Sequence, residues 1–161
     1  MEEINELRLF WIKSPEERLK LWRDFRKGYN FTNTESLVKD VWDFWFYSPD
    51  VSKILDPYDV KNWPTVWEII QYGSTCKYSK SLAAGYMLYF MNYYDNNDII
   101  IARVYDKINN DIYIASIINE EYIFLPYSNE VLNWIHEKQN IIIQESWGIE
   151  QVINMVNNRT D

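Results

Sequence analysis

The chain has 161 residues, 47% of them apolar and 17% aromatic, with 24 acidic against 16 basic side chains and a formal net charge of -8. That length fits one domain with a sizeable core, and the apolar content excludes a disordered chain. The acidic balance argues against non-specific nucleic-acid binding, which needs Lys and Arg to neutralise phosphates, and against anionic lipid.

A single cysteine, Cys76, excludes an internal disulfide. The start, Met1-Glu2-Glu3-Ile4-Asn5-Glu6, lacks the basic and apolar regions of a signal peptide. No apolar run is long enough to span a bilayer. The expected reading is a soluble chain that is not secreted by a cleaved signal peptide. The abundance of Asn, Ile, Tyr and Lys follows AT-rich codons.

Residues 1–13 read as an N-terminal arm. Ser14-Pro15-Glu16-Glu17 is a helix start, with an N-cap serine, proline at the first helical position and acids in the first turn. The spacing predicts a helix to Lys27 that stops at Gly28. Thr34 caps a second helix, from Glu35 to Tyr47. Its apolar girth (Leu37, Val38, Val41, Trp42, Phe44, Trp45) predicts burial. Residues 48–64 form an ordered loop punctuated by Pro49, Pro57 and Pro64. Thr65-Val66-Trp67-Glu68 is a capping box that opens a short helix ending at Gly73.

Ser74 or Thr75 then caps a helix from Cys76 to Asn92. Its small patch Ala83-Ala84-Gly85 admits a close neighbour. From Ile99 the pattern changes to strands over 99–105, 111–118 and 121–125, rich in Ile, Val, Tyr and Phe, with turns at Asn109-Asn110 and Asn119-Glu120. Asn129–Glu137 reads as a short helix, 140–144 as a fourth strand, 149–156 as a last helix, and 157–161 as a fraying tail. The expected architecture is α+β: N-terminal helices, then a cysteine-bearing buried helix packed on an antiparallel meander.

Cys76 is the candidate nucleophile, because a helix N-terminus favours a thiolate. Its partner would be the only histidine, His136. The spacing gives that pair no support, since Trp134, Ile135 and Glu137 place His136 on a short exposed helix. The expectation is a structural Cys76 and no catalytic residue, with Cys76 and His136 as the alternative. Asp50, Asp56 and Asp59 lie among prolines as turn residues, and their spacing does not match a calcium loop. One His and one Cys make a poor transition-metal set, and with four glycines there is no phosphate loop. No metal and no cofactor is expected. The helix bearing Arg18, Lys20, Arg23, Arg26 and Lys27 offers a docking patch for an acidic partner, or simply a solvated face. The crowding of Trp42, Trp45, Tyr47, Trp63, Trp67 and Tyr72 suggests that some rings meet another protein. Tyr58, Trp63 and Trp67 are the expected anchors.

Gly73 and Cys76, the helix to Met91 and the strands through Leu125 resemble the core of transglutaminase-like and papain-like cysteine enzymes. The resemblance implies a histidine at the start of the second core strand and an acid at the end of the third. Here those places are held by residues near Tyr113 and near Pro126-Tyr127-Ser128. Separately, the segment Trp42–Pro49 with Asp56-Pro57-Tyr58-Asp59, Trp63-Pro64 and Trp67-Glu68 is similar to uncharacterised small proteins of tailed phages, including T4-like ones of marine hosts. That similarity implies a virion structural or accessory protein whose partners are other subunits of a head, neck or tail assembly, without direct contact to nucleic acid or membrane. Two alternatives stand beside this non-catalytic reading: a cysteine-dependent hydrolase or acyltransferase using Cys76, and an acidic inhibitor of a host protein.

Overall fold

The computed structural model describes residues 2–159, with side chains from residue 5 onward except that of Asn96. Four helices come first: α1 (Glu2–Trp11), α2 (Pro15–Gly28), α3 (Thr34–Phe46) and α4 (Val66–Tyr72). The central helix α5 (Lys80–Met91) follows. The strands are β1 (Ile99–Asp106), β2 (Asp111–Ile118), β3 (Tyr122–Phe124), β4 (Leu132–Asn133) and β5 (Ile141–Gly148). Helix α6 (Trp134–Glu137) precedes β5, and α7 (Ile149–Asn157) closes the described chain. The sheet is antiparallel throughout, in the order β4-β3-β2-β1-β5. This is the expected α+β architecture.

Local chemistry sets most boundaries. The Ser14 side chain accepts the Glu17 N–H, and Pro15 opens α2. The Thr65–Glu68 capping box opens α4, and Gly73 ends it at φ +74°, a left-handed geometry suited to glycine. The β1–β2 and β2–β3 turns use Asn110, Asn119 and Glu120 at positive φ.

Several expectations need correction. Asn33, not Thr34, caps α3, its side chain accepting the Ser36 N–H at 2.8 Å. Within the segment read as an N-terminal arm, α1 seats Phe10 and Trp11 in the core, against Phe44 and Trp45. Residues 129–137 are not one helix: 129–131 lie outside any element, and β4 and α6 follow. In the tail, Arg159 donates to the Trp63 carbonyl at 2.8 Å and pairs with Glu68. Thr160 and Asp161 lie outside the described residues.

Helix α5 is buried around nearly its whole girth, between α3 on one side and β1 and β2 on the other. A Cβ at Gly85 would stand 2.7 Å from Ser116 Oγ and 2.9 Å from Ile101 Cδ1, so the helix can approach the sheet this closely only without one. Ser116 Oγ donates to the Ser81 carbonyl and Ser81 Oγ to the Phe124 carbonyl, which satisfies polar groups at that contact. Residues Ile99, Ile101, Ile114, Ile118 and Phe124 share a core with the helices. The alternate positions Ala102, Val104, Tyr113, Ala115 and Leu125 form a second apolar cluster on the other face.

Candidate active site

Cys76 lies one turn before α5. Its carbonyl accepts the N–H groups of Ser79 and Lys80, both at 3.1 Å, so one hydrogen-bonded turn leads from Cys76 into α5. The Cys76 N–H donates to Ser79 Oγ at 2.8 Å. This is half of a reciprocal cap, with Ser79 in the place that Glu or Gln usually takes. The expected helix from Cys76 thus begins as a tight turn, and regular α-helix follows from Lys80.

The thiol is covered. Cys76 is 1% exposed, and the Ile54 N–H points at its Sγ from 3.4 Å, with Ser79 Oγ at 3.6 Å. The covering segment is tied down at several points. Asp50 and Thr75 pair as a parallel bridge, through Thr75 N–H to the Pro49 carbonyl and Val51 N–H to the Thr75 carbonyl, each at 2.8 Å. Lys80, 3% exposed, donates to the carbonyls of Phe46 and Ser48 and to Asp50 at 2.9, 3.2 and 2.9 Å. A buried ammonium holds only when its donors are met, and here three acceptors meet them. Lys80 was not singled out in the sequence. A lysine between an N-cap serine and an apolar run was the available signal.

The start of β2 lies beside this turn, joined by Lys77 Nζ to Asp111 at 2.9 Å. Its first residues are Asp111, Ile112 and Tyr113, and β3 leads into Leu125-Pro126-Tyr127-Ser128. No imidazole stands at either place. Alternation puts Ile112 on the face that carries Ile114 and α5, and Tyr113 on the other. Tyr113 and Tyr127 pack with ring centroids 5.5 Å apart. Burial, and then the charges of Asp111 and Asp106, raise the Tyr113 phenol above its ordinary range. Burial and Asp106 push Tyr127 up to about 12. Neither is a base near neutral pH.

His136 is exposed on α6, where its own N–H bonds to Asn133 Oδ1. The hydrogen bonds to Cys76 Sγ among the described residues come from Ile54 and Ser79, and His136 contributes none. The three loop aspartates serve local structure. Asp56 accepts the Tyr58 N–H at 2.9 Å, Asp59 accepts from Asn62 at 2.7 Å, and Asp50 pairs with Lys80. Among the described residues no group of three or more His, Cys, Asp or Glu side chains is placed to hold a metal ion, and no helix is long and apolar enough to cross a membrane.

The proposed anchors part company. Trp63 is fully buried, edge-on to Trp147 at 5.4 Å and donating to the Asp56 carbonyl at 2.6 Å. It is a core ring in this fold, because the loop curls to bury it. Tyr58 is 61% exposed under the guanidinium of Arg103, 4.4 Å from its ring centre, and Trp67 is 44% exposed. Trp42 and Trp45 are core, as their helical spacing predicts.

No family model matches the chain, and no curated protein does. Solved structures do match: LapG of Legionella pneumophila, together with its calcium-bound and EGTA-treated forms, each at TM-score 0.70 and 13% identity. The match covers 91% of this chain and 83%, 83% and 81% of those chains respectively. The cysteine one turn before a buried helix, which packs on an antiparallel meander, is thus set in a fold similar to that of LapG.

Proposed function

We propose that this chain is a transglutaminase-like domain that works by binding a polypeptide, without cysteine chemistry. The observation that carries the reading is Cys76: it lies before α5, yet it is sealed under residues 49–54 with no base in reach among the described residues. Acyl transfer needs the thiol proton to leave for a base and then reach the departing amine. An imidazole does both. Tyr113 and Tyr127, with phenols pushed up, do neither. A virion setting, with other protein subunits as partners, agrees with this reading and rests on the sequence pattern.

The second reading is a cysteine-dependent hydrolase or acyltransferase using Cys76. It is favoured by the fold shared with LapG and by the helical turn that opens at Cys76. It requires the 49–54 segment to lift and a base to arrive. Mixing the protein with p-nitrophenyl acetate separates the two. The binding reading expects no burst of nitrophenol beyond that of Cys76→Ala. A stoichiometric burst, with an acetyl group on Cys76 by intact mass, would establish the enzyme instead.

A further inference from the structure

The cleft between α2 and α4 combines an unneutralised basic stripe with an exposed indole. Lys20, Arg23 and Arg26 line it with Leu19, Trp67 and one carboxylate, Glu16. The three cations recur every third residue along α2, over roughly 9 Å of helix. Among the described residues none of the three enters an ion pair. In a chain of net charge -8 this is a local reversal of sign.

Arg26 gives the stripe its floor. Its guanidinium lies 4.0 Å from the ring centre of Trp22, 5.7 Å from Trp67 and 5.9 Å from Phe90. Trp22 and Trp67 meet edge to face at 5.0 Å. Arg26 Nε is buried with no acceptor. Burial, and then the like charge of Arg23, both oppose its ionisation. Ring faces offset part of that cost. An incoming carboxylate would supply the missing counter-charge. Trp67 offers the kind of rigid ring that anchors interfaces.

We propose that this cleft docks an acidic polypeptide segment of a partner protein, with carboxylates on Lys20, Arg23 and Arg26 and an apolar side chain against Leu19 and Trp67. The proposal rests on the binding-domain reading and names its surface. The charge pattern selects a peptide over nucleic acid. A nucleic-acid strand continues as an unbroken polyanion, and beyond this short stripe a chain of net charge -8 offers little to neutralise it. A peptide can alternate acidic and apolar residues to match the cleft.

The test uses fluorescein-labelled decaglutamate and anisotropy in 50 mM and 500 mM salt, with a ten-nucleotide single-stranded DNA as competing probe. Decaglutamate should bind at low salt and release at high salt. Lys20→Glu with Arg23→Glu, both exposed positions, should weaken binding by about tenfold or more at unchanged melting temperature, because like charges then face each other. Trp67→Ala should weaken it severalfold, and Lys107→Glu, on the β1–β2 turn, should leave it unchanged. Absence of decaglutamate binding, equal binding by the charge-reversed protein, or preferential binding of the DNA would each overturn the proposal. Failure here would leave the ester-burst result, and with it the binding-domain reading, standing separately.

Discussion

Cys76, Trp63 and Gly73 show how burial decides a residue's role. Cys76 resembles a nucleophile by position but a small apolar residue by surroundings. Cys76→Ala should cost about 1–2 kcal/mol in urea unfolding, in the range of ordinary core substitutions, and leave binding intact. Trp63→Ala should cost about 3–5 kcal/mol, as buried aromatic deletions do. Tyr58→Ala should cost under about 1 kcal/mol, since an exposed ring under Arg103 contributes a modest cation–π contact. Equal losses from the two would mean that Tyr58 is as structural as Trp63. Gly73 is needed twice over. It adopts φ +74°, and a Cβ there would press within 2.8 Å of the Arg18 guanidinium. That guanidinium spans the carbonyls of Ile70, Gln71 and Lys13. Gly73→Ala should therefore cost about 2–3 kcal/mol in the same measurement, from left-handed strain and a displaced arginine.

At the scale of elements, α4 carries a pH dependence. Burial alone would raise the Glu68 carboxyl, but the Thr65 N–H, the Arg159 guanidinium and the Thr65 hydroxyl together hold it below its ordinary value. A carboxyl depressed in the folded state stabilises above its unfolded pKa of about 4.3, and that contribution is lost as pH falls through the lower folded value. Thr65→Ala should cost about 1 kcal/mol at pH 7 through the lost cap. The difference between Thr65→Ala and wild type should shrink below about pH 4. A constant difference across that range would separate Glu68 from the cap. Most elements were legible because their signals are local: Ser14-Pro15 for α2, Thr65 with Glu68 for α4, positive-φ asparagines for the sheet turns. The start of α5 was legible only to within a turn, because Ser79 Oγ accepts the Cys76 N–H and closes a turn before the regular helix. Helix α1 was missed: it lacks a cap signal, and its end is fixed by Phe10 and Trp11 docking on α3, a tertiary contact.

At the scale of the whole molecule, the order of helices before an antiparallel meander was legible as an α+β domain, and the chain is similar in fold to LapG. The absence of a base on β2 could be read directly, because strand starts leave few candidate positions. The cover over Cys76 could not. It depends on Lys80 reaching Phe46, Ser48 and Asp50, residues thirty or more positions away. The split among the aromatic anchors was hidden for the same reason, since proline-rich loops can present or bury a ring. The central claim is that the thiol is sealed in the native state. Its direct measurement is the rate of iodoacetamide labelling of Cys76 in the native protein from pH 6 to 9, against the same protein in urea. The account predicts native labelling at least about a hundredfold slower than unfolded, limited by opening of the 49–54 segment. Labelling as fast as the unfolded chain, with an inflection well below pH 8, would contradict it and return Cys76 to the role of nucleophile.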